Sequence, residues 1–401
     1  MQSVSVTRAN QTRAAKIKSR AYILAWLVFL AFGGLAFVIA RDQAWMINRD
    51  FFTFWGGARG LMDGANLYAP AEWARVTQAN GSTWLPNPIF IYAPPTAIFF
   101  APLAALPIEI ASVVWVWLSE IFIALTVLIV ARSQHLSAVG KFAPLWGLGF
   151  AFFLPVTLTL LMGQISALGL LIVALTLALW RRGNWLRGGV MLGLAIIKPQ
   201  PLIFFIPAIS LWLILNRRWR AVGGIALSFG VSTVASLLLF PNFFPDWQSA
   251  TVSKISGVAA RMPTVLGFVL DLFQDSSFGI SIAAIAIAVS VALGLLSVVR
   301  QKNADVFEIA SALLILSLFV APYLWNYDQI LLLIPLTLAL IWFDQRGAPF
   351  WLSASLPLLF DIFAWSLFAL AALRGRDSPG VLLPILIGFY FWFAYKRNET
   401  R

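Results

Sequence analysis

Asp50 follows Arg49 and precedes the run Phe51-Phe52-Thr53-Phe54-Trp55. A carboxylate beside apolar rings is partly desolvated, which raises its pKa toward that of a working general base, while the adjacent guanidinium pulls it back down. The same residue also suits a helix N-cap, a position that Asp favours, because residues 51–62 read as helical. Lys198 lies in the break Ile197-Lys198-Pro199-Gln200-Pro201 of an apolar run. There an ammonium either binds an anionic phosphate as a point charge or snorkels to a membrane interface. Asn326-Tyr327-Asp328-Gln329 is a succession of polar groups between two apolar runs, able to hydrogen-bond a sugar or a phosphate. Gly163-Gln164 forms a further polar tip.

The rest of the chain decides how such groups can be held. Of its 401 residues, 61% are hydrophobic and 11% charged, against about 25% charged in soluble domains. The apolar residues are gathered in runs long enough to cross roughly 30 Å of hydrocarbon as helices, without the alternation of barrel strands. The expected class is therefore all-α, a polytopic integral membrane protein, because a helix satisfies its own backbone in lipid. There is no cysteine, so disulfides and thiolate metal sites are excluded. The single histidine, His135, sits in a polar connector and reads as a solvated loop residue. No cofactor is called for, although carboxylates on one face leave a divalent cation open. The net charge of +12 is distributed along span boundaries, so nucleic acid is not an expected partner. No P-loop, strand-linked G-x-G-x-x-G or H-E-x-x-H occurs, which disfavours a soluble nucleotide-sugar enzyme.

Hydropathy marks about twelve spans, at approximately 21–40, 109–131, 142–161, 163–180, 188–197, 200–215, 221–240, 281–299, 306–322, 329–343, 349–371 and 379–395. With both termini cytoplasmic, most of the 28 basic residues fall inside, as the positive-inside tendency requires. Arg49, Lys198 and Lys254 belong to the outer minority, on the extracytoplasmic side with Asp50. The first span reads as an uncleaved helix, since no small-residue cleavage site follows it. The expected layout is a basic cytoplasmic N-terminus over 1–20 and one transmembrane domain over 21–398, with extracytoplasmic loops at 41–108 and 241–280. Tyr92 to Pro107 is apolar but too short and proline-rich to cross, so a re-entrant or interfacial piece is expected there. The second loop suits a partly helical cap on the membrane surface. The break at 197–201 must line a cavity or be covered by protein.

A set of segments, in order and spacing, resembles glycosyltransferase family 87 of the GT-C superfamily. They are Asp50 with FFTFWGGARGLMDGANLYAP, then IYAPPTAIFFAPLAALP, MGQISALGLL, RGGVMLGLAIIKPQPLIFFIPAI with NRRWRA, and APYLWNYDQILLLIPL. The resemblance implies a GT-C-like fold in the cell (inner or plasma) membrane. It also implies transfer of a hexose, mannose in the first instance, from a polyprenyl-phosphate-linked donor to a lipid or glycan hydroxyl at the extracytoplasmic face. By the same resemblance Asp50 is the general base of an inverting displacement, and Lys198 and Arg49 bind the donor phosphate. Gln164, Tyr92, Asn326, Tyr327 and Asp328 then line the sugar or acceptor pocket. Members often carry histidines near the last segment, where this chain has Asn326-Tyr327-Asp328. A phosphate leaving group needs charge stabilisation more than protonation, so one carboxylate and one or two cations suffice. Two other classes compete. A broken helix also suits a multi-pass transporter or lipid-linked-glycan flippase, against which stands the gathering of polar groups on one face. A polymerase or ligase of surface glycans would be expected to carry larger, arginine-rich outer loops.

Overall fold

The computed structural model describes residues 49–82, 87–133, 149–274, 276–301, 304–345 and 350–399, together with 27 and 31. The basic N-terminus, nearly all of the first span and His135 lie outside the described residues. Among the described residues the chain is helical, with no strand. Helices α1 (Asp50–Met62), α2 (Pro70–Ala79) and α3 (Pro94–Ala104) precede the long α4 (Ile108–Ser133). Then come α5 (Leu154–Met162), α6 (Ser166–Arg181), α7 (Trp185–Gly193), α8 (Phe205–Leu215) and α9 (Trp219–Leu239). The second polar insert holds α10 (Phe243–Val258) and α11 (Val265–Leu272). It is followed by α12 (Ser277–Arg300), α13 (Val306–Val320), α14 (Leu333–Gln345), α15 (Phe350–Arg374) and α16 (Leu382–Glu399).

Among the described residues, six helical stretches are long and apolar enough to cross a membrane unaided: α4, α9, α12, Asn326–Phe343, Leu356–Arg374 and Ser378–Lys396. This makes the chain a multi-pass membrane protein. Several other apolar runs form shorter helices, α6, α7, α8 and α13 among them, because the backbone breaks before a full crossing. Gly163 ends α5 in the left-handed region (φ 63°), and a Cβ there would stand 2.6 Å from Cβ of Phe51. Only glycine combines that backbone with so close an approach. Likewise α7 and α9 meet through glycines: a Cβ on Gly189 would lie 2.1 Å from the carbonyl oxygen of Ala221. Small residues let helix backbones touch where no hydrophobic force drives them together in lipid.

The stretch Asn326–Phe343 is the hub, with 94% of it buried. It begins as a 3-10 turn (Asn326–Leu332) and continues as α14, apolar on all sides, packed against α4, α13 and α16. A helix hydrophobic all round belongs inside. By contrast α9 and α12 turn Leu227, Val231, Leu238, Ile285 and Leu293 outward, the surface that lipid covers. Beneath α1 a second, aromatic core gathers Phe51, Phe54, Trp55, Phe100 and Trp115. Phe54 stacks on Phe100 with ring centres 5.0 Å apart, and Trp115 donates to the carbonyl of Gly163 at 3.0 Å. A third cluster, Leu67, Tyr68, Trp73, Phe90, Phe240 and Phe243, ties the first polar insert to the start of α10.

The 197–201 break is covered by protein. Its orphaned carbonyls find side-chain donors: Thr96 Oγ1 donates to Ile197 O at 2.9 Å and Ser317 Oγ to Pro201 O at 2.8 Å. Ser317 Oγ in turn accepts from Phe205 N at 3.1 Å, so α8 restarts with its first amide satisfied.

Candidate active site

Asp50 is the first residue of α1, with Arg49 at the N-cap position and no side-chain capping bond there. The carboxylate therefore sits in the first turn, where the helix dipole favours negative charge, and is not consumed as a cap. It lines a cavity of about 350 Å³ whose wall also carries Arg49, Tyr92, Asn87, Lys254 and Tyr323. Trp73, Trp325, Asn326, Tyr327 and Asp377 complete its polar and aromatic lining. Such a volume, with aromatic faces and converging polar groups, suits a sugar ring.

Burial dominates the electrostatics. It pushes the Asp50 carboxyl above the ordinary carboxylate range, and Asp328 adds to the rise. Gln164 and the Lys198 and Lys254 ammoniums pull the other way. Burial also brings the Arg49 guanidinium down to about 10 against the opposing pull of Asp50. It raises Tyr323 to about 12 and Tyr92 well above the usual phenol value. The Lys254 ammonium is held below the ordinary lysine range by burial, and Asp50 opposes the fall.

Lys198 lies next to this cavity but is not on its wall. Its ammonium is 2.6 Å from Asp328 Oδ1, donates to Gln164 Oε1 at 2.8 Å and to Ser166 Oγ at 3.0 Å, and faces the Tyr327 ring at 4.6 Å. Three N–H groups meet three acceptors, so its donors are used up. Asp328 is equally occupied. Ser166 Oγ donates to its Oδ1 at 2.7 Å, and the Trp325 amide donates to its Oδ2 at 3.2 Å, which closes the first turn of the 3-10 segment. Gln164, fully buried, accepts from Lys198 through Oε1 and turns its side chain toward Asp50. Thr159 Oγ1 anchors the Tyr327 carbonyl at 3.1 Å.

The fold thus brings Asp50, Lys198, Gln164, Tyr92, Tyr327 and Asp328 into one neighbourhood, although they span most of the chain. Arg49, Asp50, Tyr92, Asn326 and Tyr327 reach the cavity, while Lys198, Gln164 and Asp328 form a closed network beside it. The sequence places Lys254 and Asp377 on the outer face without a role in the site, and it does not mark Asn87 or Trp73. Lys254 had a legible signal. Phe243, Trp247, Ala250, Thr251, Lys254 and Val258 recur at helical spacing, and they are the less exposed face of α10. Asp377 is on the wall, and the residues that flank it are tied down by the buried Asp271, which accepts from Arg374 Nη2 at 2.9 Å, Arg376 Nη1 at 2.8 Å and Ser378 Oγ. No three His, Cys, Asp or Glu side chains cluster as a metal site would require, among the described residues.

The model of glycosyltransferase family 87 matches residues 90–335, more than half of the chain. The chain belongs to glycosyltransferase family 87. A relative from Mycobacterium tuberculosis (strain ATCC 25618 / H37Rv) is 25% identical over 362 residues, covering 80% of this chain and 78% of its own. That protein is named a polyprenol-phosphate-mannose-dependent alpha-(1-2)-phosphatidylinositol mannoside mannosyltransferase. Membership of family 87 makes the chain a membrane glycosyltransferase and sets aside the transporter alternative. Within this family 87 chain, the matched residues run from the loop behind Tyr92, through the Lys198 break, to the start of α14.

Proposed function

We propose that this enzyme transfers a hexose, mannose in the first instance, from a polyprenyl phosphate to a hydroxyl of a lipid or glycan acceptor. The cavity faces the extracytoplasmic side of the cell membrane, and both termini are cytoplasmic. The donor class is inferred from the relative's name, and the orientation from the distribution of basic residues. One observation carries the chemistry. Burial raises the proton affinity of both carboxylates on the cavity wall, Asp50 and Asp377, and Asp50 is the one on which Gln164, Lys198 and Lys254 converge. A base poised in this way removes a hydroxyl proton more effectively than a solvated carboxylate.

In the reaction, the acceptor oxygen forms a bond to the anomeric carbon as its proton passes to Asp50. The bond from that carbon to the phosphate oxygen breaks, and polyprenyl phosphate leaves with the electron pair. Attack opposite the leaving group inverts the anomeric centre. No metal enters this scheme, because cations on the cavity wall, Arg49 and Lys254, can take up the charge that grows on the leaving phosphate. Aromatic faces at Trp73, Tyr92 and Trp325 offer stacking surfaces for a sugar.

The test uses membranes containing the wild-type chain or the Asp50→Asn variant, supplied with labelled polyprenyl-phosphate mannose and glycolipid acceptors. Labelled glycolipid should form with the wild type and with inverted configuration. Undiminished transfer by the variant removes Asp50 from the role of base.

A further inference from the structure

Two lysines act on Asp50, and they differ in what their ammoniums already hold. Lys198 is neutralised by Asp328 and saturated by three acceptors. Lys254 projects from the inward face of α10 into the cavity wall. It donates to one neutral acceptor, Asn87 Oδ1, at 2.8 Å and lies 5.9 Å from the centre of the Tyr323 ring. No carboxylate is within ion-pair distance of it among the described residues, so two of its three N–H groups have no protein acceptor. A half-buried ammonium in that condition is stabilised by an anion entering the cavity.

The backbone under Lys254 is fixed. Two turns earlier on the same face of α10, Trp247 Nε1 donates to the carbonyl of Ile91 at 2.8 Å, and Phe243 is buried in the third cluster. These contacts clamp α10 over the Asn87–Tyr92 strip, and the spacing of seven residues returns Lys254 to that face. Asn87, itself buried, then aims the ammonium by accepting a hydrogen bond from it through Oδ1.

We infer that Lys254, delivered by the cap helix α10 and oriented by Asn87, is the cation that receives the phosphate of the lipid-linked donor, and that Lys198 holds the site's shape instead. This rests on the transferase reading above and assigns its phosphate subsite. The donor phosphate is a diester with a single negative charge. The departing polyprenyl phosphate is a monoester that carries more charge near neutral pH. A cation at Lys254 therefore binds the phosphate more strongly as charge develops on it in the transition state than in the donor, the condition under which binding accelerates a reaction. Arg49, on the same wall, adds a second positive charge.

The experiment uses the full-length chain in lipid nanodiscs and two readouts. The first is binding of sugar-free polyprenyl phosphate, with the corresponding phosphate-free polyprenol as control. The second is transfer from polyprenyl-phosphate mannose at a range of donor concentrations. Lys254→Ala should weaken polyprenyl phosphate binding by roughly 10- to 100-fold, the loss expected for a charge-assisted hydrogen bond. It should leave polyprenol binding unchanged, and Lys254→Arg should recover part of the loss. Asn87→Ala should shift binding in the same direction by a smaller factor. Unchanged polyprenyl phosphate affinity in a folded Lys254→Ala protein overturns the assignment. So does loss of that affinity in Lys198→Met at an unaltered melting temperature. The two readings fail separately. If lipid phosphate binds through Lys254 but no hexose leaves it, the subsite stands and the transferase scheme falls. If Lys254→Ala transfers normally at sub-saturating donor, the scheme stands and the subsite falls.

Discussion

Lys198 and Lys254 are the same residue type, both bear on the charge of Asp50, and they sit in opposite physical circumstances. Lys198 belongs to a finished network in which each donor has an acceptor and its charge is cancelled by Asp328 at 2.6 Å. Lys254 belongs to an unfinished one, with a single neutral acceptor and an open cavity in front of it. The difference teaches that a buried cation near an active carboxylate is not by that fact a ligand-binding group. What matters is whether its donors are already used. A satisfied pair stiffens the wall, and an unsatisfied one is left to the substrate.

The sharpest way to break this comparison is through the carboxylate that both lysines act upon. Asp50→Asn should lower transfer by about 10²- to 10⁴-fold, the range of a lost general base. The pH profile of the wild type gives an independent check. Asp50 must be ionised to accept a proton, and burial raises its pKa, so the acidic limb of the rate should lie above the ordinary carboxylate range and vanish in the variant. The stability consequence has the opposite sign. A carboxyl with a raised folded-state pKa favours the fold at low pH and loses that contribution as pH rises through its folded value. Asp50→Asn should therefore melt higher than wild type at neutral pH in detergent, with the gap closing on acidification.

The closed network comes next in size. Lys198→Met leaves Asp328 buried and unpaired, and should cost about 3–5 kcal/mol of stability, the usual penalty for breaking a buried pair. Replacing both partners with apolar residues should recover much of that loss in thermal unfolding, as expected where the pair serves shape. If Lys198→Met keeps full stability and loses only donor affinity, the contrast between the two lysines collapses. Gly163→Ala tests the floor beneath Asp50. The left-handed backbone and the 2.6 Å approach to Phe51 should cost roughly 1–3 kcal/mol in melting measurements. Because Phe51 adjoins Asp50, kcat should fall with it. The smallest effect is expected at Asp271→Asn. Its two arginine partners are 43% and 40% exposed, so solvent already screens the pairs and a loss of only about 1 kcal/mol is expected. The readout is a higher KM with little change in kcat, as the loop that carries Asp377 loosens.

Several features were legible before any coordinates. The helical class, the multi-pass character and the family followed from apolar runs of crossing length and from ordered motifs around Asp50, Lys198 and Asp328. The break at Lys198 was also visible, since Pro199 and Pro201 directly after it remove amide donors. Less visible was the shortening of several expected spans, because hydropathy reports where lipid is tolerated and is blind to the left-handed turn at Gly163 or the 3-10 start of the Asn326–Phe343 stretch. The sequence places Lys254 on the outer face but gives it no role, for a related reason. Its helical stripe was present in the sequence, but the stripe shows which face turns inward and says nothing of what lies opposite.

By itself the sequence determined the solvent and the chemical inventory. Its composition requires a lipid environment, and its few ionisable groups limit what any site could contain. Only the tertiary structure decided which of those groups are spent on each other and which remain for a ligand. That division depends on distances of about 3 Å between residues as far apart in the chain as Thr159 and Tyr327, 168 positions from each other. Hydrogen bonding is settled at that range, and no local pattern along the chain encodes it.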